Sequence, residues 1–125
     1  MTQTILIVED EAFIRLLIQQ TLEDLEDLGV RILSAEDGLE GWRLIQQEKP
    51  DLIFLDVMMP EMNGFEVCER TRALWGDAIY VVLLTAKGQD FDRQRGLEAG
   101  ANTYMTKPFD PDELVNLAGE VLGVH

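Results

Sequence analysis

Ile5-Leu6-Ile7-Val8-Glu9-Asp10-Glu11, residues 5–11, joins four unbroken aliphatic residues to three acids. A strand with one wet face would alternate, so a continuous apolar run of this length suits a strand covered on both faces by helices. The pattern recurs at Leu52-Ile53-Phe54-Leu55, which runs into Asp56, and at Thr103 to Met105, which leads into Thr106-Lys107-Pro108. Open α/β sheets bind ligands beyond the carboxyl ends of such strands. If these strands are parallel neighbours, Glu9, Asp10 and Asp56 converge at one edge. Clustered carboxylates repel, and they require a shared proton or a cation.

Working outward, strand-like runs alternate with helix-periodic segments five times. The expected strands are Thr4 to Glu9, Val30 to Ala35, Asp51 to Asp56, Ile79 to Thr85 and Asn102 to Thr106. The expected helices lie near Glu11 to Leu28, Gly38 to Glu48, Gly64 to Leu74, Phe91 to Ala99 and Pro111 to Leu122. This alternation implies right-handed βαβ crossovers and an α/β fold, a parallel sheet with helices on both faces. Gly29, Gly88 and Gly100 fall beside expected helix ends, and Asp110-Pro111 has the form of an N-cap followed by proline at the first helical position. Pro50 and Pro60 lie in connections, and Asn63-Gly64 marks a tight turn. With no low-complexity linker or repeat, residues 1–125 are expected to form a single domain without an output domain.

A chain of 125 residues can bury roughly two-thirds of its unfolded surface. Its net charge of -14 disfavours contact with nucleic-acid phosphate in the absence of a basic patch, so direct nucleic-acid binding is not expected. The single cysteine, Cys68, cannot form an internal disulfide, which fits a reducing, cytoplasmic setting. The longest apolar stretch, Ala78 to Leu84, is too short to insert across a membrane, and Met1-Thr2-Gln3 lacks the pattern of a signal peptide.

In the first expected helix, Ile14, Leu17, Ile18, Leu22 and Leu25 follow helical spacing and should face the sheet. Phe13 and Leu16 sit about 100° off that stripe. They either extend the core or form an apolar docking strip beside the carboxylates.

Together, Glu9, Asp10 and Asp56 resemble a hard-cation site. Mg²⁺ takes oxygen ligands, keeps several waters and is usually held by one or two carboxylates plus phosphate oxygens. Asp56 can serve as a nucleophile, since carboxylates form acyl phosphates. Lys107 can meet phosphoryl oxygens as a movable point charge, and Thr85 offers a hydroxyl donor. Singly, each residue reads as a cap or a solvated side chain. Together, at successive strand ends of one βα chain, they point to phosphoryl chemistry.

At these residues the chain resembles the receiver domain of bacterial two-component response regulators. The resemblance rests on ILIVEDE, LIFLDVMMPEMNGFE, VVLLTA, GLEAGANTYMTKPF and the AEDG before the second helix, and it covers essentially the whole chain. It implies a flavodoxin-like (βα)5 fold, a doubly wound parallel sheet of five strands in the order 2-1-3-4-5. It makes Asp56 the phosphoacceptor, with Asp10 a direct Mg²⁺ ligand, Glu9 a ligand through water and the Met58 backbone carbonyl a third. Many family members have Asp where this chain has Glu9, so the geometry of the metal site should differ. Lys107 would pair with the phosphoryl group, and Lys107-Pro108 would be a cis peptide.

The implied function is a signalling switch of a two-component system or phosphorelay. Its partners would be a histidine kinase or histidine phosphotransfer protein upstream and a protein target downstream. Thr85 would move to meet the phosphoryl group and Tyr104 would turn inward, remodelling the surface of the fourth expected helix, fifth strand and fifth helix. Self-dephosphorylation would reset the switch, with Met58 and Lys87 setting its pace: bulky Met58 hinders water, and Lys87 adds positive charge near the phosphoryl group. Pro60 and Gly64 would shape the loop after Asp56. No turnover of small phosphate esters is expected, because hydrolases of this kind commonly carry a second catalytic Asp where this chain has Met58. A flavin carrier of the same strand order would need a phosphate cradle where Glu9-Asp10-Glu11 stands. A degenerate, phosphorylation-independent module is disfavoured because every key position is filled. Both a natural single-domain protein and a piece of a longer regulator fit the pattern.

Overall fold

The computed structural model describes residues 2–59, 61–86 and 90–124. Pro60, Lys87 and Gly88 lie outside the described residues. The strands are β1 (Thr4–Val8), β2 (Arg31–Ala35), β3 (Leu52–Asp56), β4 (Tyr80–Ala86) and β5 (Thr103–Lys107). The helices are α1 (Ala12–Thr21), α2 (Glu23–Asp27), α3 (Gly38–Glu48), α4 (Gly64–Trp75), α5 (Asp90–Ala99) and α6 (Pro111–Leu122), with a 3₁₀ turn at Gly76–Ala78. All strand pairings are parallel, and the order is β2-β1-β3-β4-β5, the flavodoxin-like order expected above.

The unbroken apolar runs have a direct structural cause. Successive strand residues face opposite sides, so a strand covered on both sides needs apolar residues at every position. Leu6, Val8, Ile53, Leu55, Val81 and Leu83 join one core with Ile45, Val67, Cys68 and Ala99 from α3, α4 and α5. Ile5, Ile7, Leu52, Phe54, Val82 and Leu84 join the other with Ile18, Leu25, Leu114 and Ala118 from α1, α2 and α6.

Most expected boundaries hold to within a residue. The first helix is the exception: one continuous helix over residues 11–28 is replaced by α1 and α2, broken at Leu22 (φ -93°, ψ 3°). The Thr21 hydroxyl donates to the Leu17 carbonyl at 2.8 Å, and such back-bonding competes with the helical ladder and bends it. Leu22 and Leu25 stay buried across the break. Phe13 and Leu16 do not extend the core; they are 78% and 52% exposed. The expected cap at Asp110 forms, its side chain accepting from the Asp112 amide, and Asp37 and Asn63 likewise cap α3 and α4 by accepting from the Glu40 and Glu66 amides. Gly29 and Gly100, at the ends of α2 and α5, both adopt φ +96°.

Candidate functional site

β1 and β3 are hydrogen-bonded neighbours with Val8 paired to Leu55, so the residues that follow emerge side by side. The chain crosses from β2, on one flank of β1, to β3 on the other, which opens a crevice at the carboxyl ends of β1 and β3. Glu9 continues β1, its amide donating to the Ala35 carbonyl of β2 at 3.2 Å. Glu9 is fully buried, Asp56 is 3% exposed and Asp10 faces solvent. Each offers a carboxylate oxygen within 4.8 Å of the others. Lys107 reaches in from the end of β5, two strands away, on its flexible stem. Its Nζ lies 2.7 Å from Glu9 Oε1 and 3.1 Å from Asp56 Oδ1. Lys107-Pro108 is cis, as the resemblance implies.

One ammonium does not neutralise three carboxylates. Burial pushes the Asp56 carboxyl up to about 8, reinforced by Glu9 as hydrogen-bond partner and as like charge, with Lys107 opposing. Burial pulls Lys107 down, but hydrogen bonding and attraction from Glu9 and Asp56 outweigh it and hold the ammonium above its usual range. Glu9 Oε2 accepts from the Glu11 amide at 3.1 Å, whereas buried Oε1 has only the Lys107 contact and no well-directed hydrogen bond. A buried carboxylate oxygen left in this condition, beside a proton-retaining Asp56 and an exposed Asp10, fits a divalent cation with oxygen preference. Asp56 opens into a cleft of about 400 Å³ lined by Glu11, Ile14, Met58, Ala86, Lys107 and Pro108. Larger hollows lie along β5, α5 and α6, but size is a weaker guide here than the convergence of buried titratable groups.

The loop after Asp56 is held from below. The Met58 amide donates to Asp56 Oδ1 at 3.3 Å, the Val57 amide to Leu84 of β4 and the Gly64 amide to the Val57 carbonyl. Gly64 admits no side chain: a Cβ there would sit 2.4 Å from the Asp56 carbonyl oxygen and 2.9 Å from Val57 Cα. Gly64→Ala should therefore cost about 1–3 kcal/mol in urea unfolding, typical of overpacking against backbone. Unfolding at the wild-type midpoint would show that the end of β3 yields freely.

Thr85, 3% exposed, stands near the end of β4. It points to the same side as Leu83, whose register partner is Tyr104, so Thr85 and Tyr104 are diagonal neighbours under α5. No hydrogen bond joins Thr85 to the carboxylates among the described residues. Met58 projects its side chain into solvent, 72% exposed. Lys87 lies outside the described residues.

Sequence reasoning missed two bracing arginines, Arg15 at this edge and Arg72 at the opposite, amino-terminal edge of the sheet. Arg15 donates to the Glu9 carbonyl at 2.8 Å and lies 3.6 Å from Glu36. Arg72 donates to the carbonyls of Gly76, Ile79 and Gly100 and to Asn102, locking α4 to the turn before β5. Among so many acids an arginine reads as a solubilising charge, and only the fold shows which carbonyls it meets.

A family model described as the response regulator receiver domain matches residues 5–118. The chain is 45% identical over 114 residues to the alkaline phosphatase synthesis transcriptional regulatory protein PhoP of Bacillus subtilis, covering 91% of this chain and 46% of that protein. It is 43% identical over 112 residues to the DNA-binding dual master transcriptional regulator RpaA of Synechocystis, covering 89% and 45% respectively. The chain thus spans less than half the length of these relatives. Among solved structures, a putative response regulator from Chloroflexus aurantiacus matches with a TM-score of 0.86 at 31% identity, covering 98% of this chain and 99% of that one. The receiver domain of sensor histidine kinase PA1611 from Pseudomonas aeruginosa, described with a magnesium ion coordinated in its active-site cleft, matches with a TM-score of 0.84 at 30% identity, again covering 98% and 99%.

Proposed function

The chain belongs to the response regulator receiver domain family of two-component systems, and on that premise we propose that Asp56 accepts a phosphoryl group from a phosphohistidine of a partner protein. The partner is a histidine kinase or a histidine phosphotransfer protein. The observation that carries this reading is a carboxylate that is 3% exposed, opens into a cleft and lies 3.1 Å from a lysine.

An Asp56 oxygen attacks phosphorus in line, the P–N bond breaks, and the imidazole leaves with the bonding pair. Lys107 is placed to balance the negative charge on the transferred oxygens. Glu9, Asp10 and Asp56, with the Met58 carbonyl, are the groups that would hold Mg²⁺. Bound there, the ion would supply positive charge that favours the ionised form of Asp56 and stabilises the phosphoryl oxygens. Water later attacks phosphorus, the P–O bond to Asp56 breaks, and inorganic phosphate departs with the carboxylate restored. Met58 shields that path by bulk and Lys87 contributes charge. The chemistry acts on the chain itself and not on small phosphate esters.

The new charge and acceptor oxygens draw the Thr85 hydroxyl toward the site. Tyr104 then turns into the space beside it, and the surface of α5, β5 and α6 changes for a protein target. Against direct DNA contact by these residues stands the net charge of -14. No helix among the described residues is long and apolar enough to cross a membrane, in line with action in the cytoplasm.

Incubation with phosphorylated histidine kinases, or with acetyl phosphate, tests the proposal. One phosphoryl group per chain should be taken up with Mg²⁺ present, and uptake should cease in EDTA. Equal uptake in EDTA, or none from any donor, would refute it.

A further inference from the structure

Helix α5 is seated unusually. Gly96 is buried so closely that a Cβ would lie 2.7 Å from the Leu83 side chain, and Ala99 is the other small contact. The largest described aliphatic side chain on α5, Leu97, points outward at 63% exposure. Among the described side chains of α5, polar anchors accompany this close approach of backbone to sheet. Two of them are arginines on aromatic rings. Arg95 lies 5.2 Å from the Phe65 ring centroid and 2.5 Å from Glu69 of α4. Arg93 lies 4.8 Å from the ring centroid of Tyr104.

The second contact matters more, because Tyr104 is half-buried against the apolar cluster under α5. The Arg93 guanidinium covers a ring whose polar tip and apolar body pull in opposite directions. A cation over the ring face favours the ring where it is, and a planar guanidinium does so better than an ammonium. We propose that Arg93 is a positioning residue that holds Tyr104 in its half-buried place, resists its inward turn and so biases the α5–β5 surface toward the unphosphorylated state. This rests on the reading of Tyr104 as the element that turns inward. Among the described residues Arg93 pairs with none of Glu9, Asp10 and Asp56, and Tyr104 is its link to the switch.

The chain has two tyrosines, Tyr80 and Tyr104, so 3-fluorotyrosine labelling in a Tyr80→Phe background gives one fluorine resonance for Tyr104. The resonance is followed while beryllofluoride, a phosphoryl mimic, is titrated in saturating Mg²⁺. In the parent protein the Tyr104 resonance should move as the mimic binds. Arg93→Ala should shift the unliganded resonance toward its mimic-bound position and lower the midpoint about threefold, the weight of one partly exposed cation–ring contact. Arg93→Gln should behave alike, and Arg93→Lys should fall between. Mg²⁺ affinity measured without the mimic should match the parent, a control that a general loosening of the domain would fail. An unchanged or raised midpoint in both neutral variants, with the parent responding, overturns the role of Arg93. A parent resonance that ignores the mimic overturns the Tyr104 reading beneath it.

Discussion

Asp56→Asn should lower phosphoryl uptake by a factor on the order of 10³ or more, because an amide cannot supply the attacking oxygen. Asparagine keeps the shape of the side chain, so loss of folding does not confound the result. Neither remaining carboxylate is placed to take over: Glu9 is fully buried and engaged by Lys107 at 2.7 Å, and Asp10 faces solvent. The variant should also be at least as stable as the parent. Removing one of two buried acids leaves Glu9 and Lys107 as a balanced pair instead of a crowded cluster. Uptake from acetyl phosphate together with urea unfolding reads both effects. A variant that labels at the parent rate would remove Asp56 from the chemistry.

Without divalent ions, stability should fall as pH rises from 5.5 to 8. Asp56 binds its proton up to about 8 in the folded chain, against 3.8 for the ordinary side chain. Between those values the folded state retains a proton the unfolded state has lost, so the contribution is complete below 3.8 and drains away toward 8. Lys107 is raised above 10.5, so its contribution is present below that value and constant across this window. The expected loss is about 2–4 kcal/mol, since each pKa unit is worth about 1.4 kcal/mol and coupling to Glu9 reduces the sum. Mg²⁺ binds ionised carboxylates, so it should stabilise much more at pH 8 than at pH 5.5 and flatten the slope. Urea unfolding at both values, in EDTA or Mg²⁺, measures this. Subtracting the slope of Asp56→Asn removes the general repulsion among 24 acids. A parent no steeper than the variant, or an equal Mg²⁺ effect at both values, would contradict the charge state given to Asp56.

Much of this was legible in the residues because each strand carries its own evidence. An aliphatic run such as Ile5 to Val8 has few uses other than a doubly covered strand, and its acids mark the end at which chemistry occurs. The break at Leu22 was not legible, because it depends on the Thr21 hydroxyl choosing the Leu17 carbonyl over water. The exposure of Phe13 and Leu16 depends on how α1 is rotated against the sheet, which spacing alone does not fix. The strands expected from Asp51 and Asn102 begin one residue later. The Asp51 and Asn102 amides do bond across to Thr4 and Val81, but they lie just outside the strands. In the site, the sequence supplied the acids, the lysine and the tyrosine. It could not supply Arg93 over Tyr104, or Arg15 on the carbonyl of Glu9, since cation–ring and side-chain-to-carbonyl contacts leave no spacing rule to detect.

The most direct measurement reduces the phosphorylated chain with borohydride, which converts an aspartyl phosphate to homoserine, and locates the change by peptide mass spectrometry. Homoserine at position 56, dependent on Mg²⁺ during labelling, is the expected result. Modification at Asp10 or any other acid, with Asp56 intact, would contradict its assignment as phosphoacceptor.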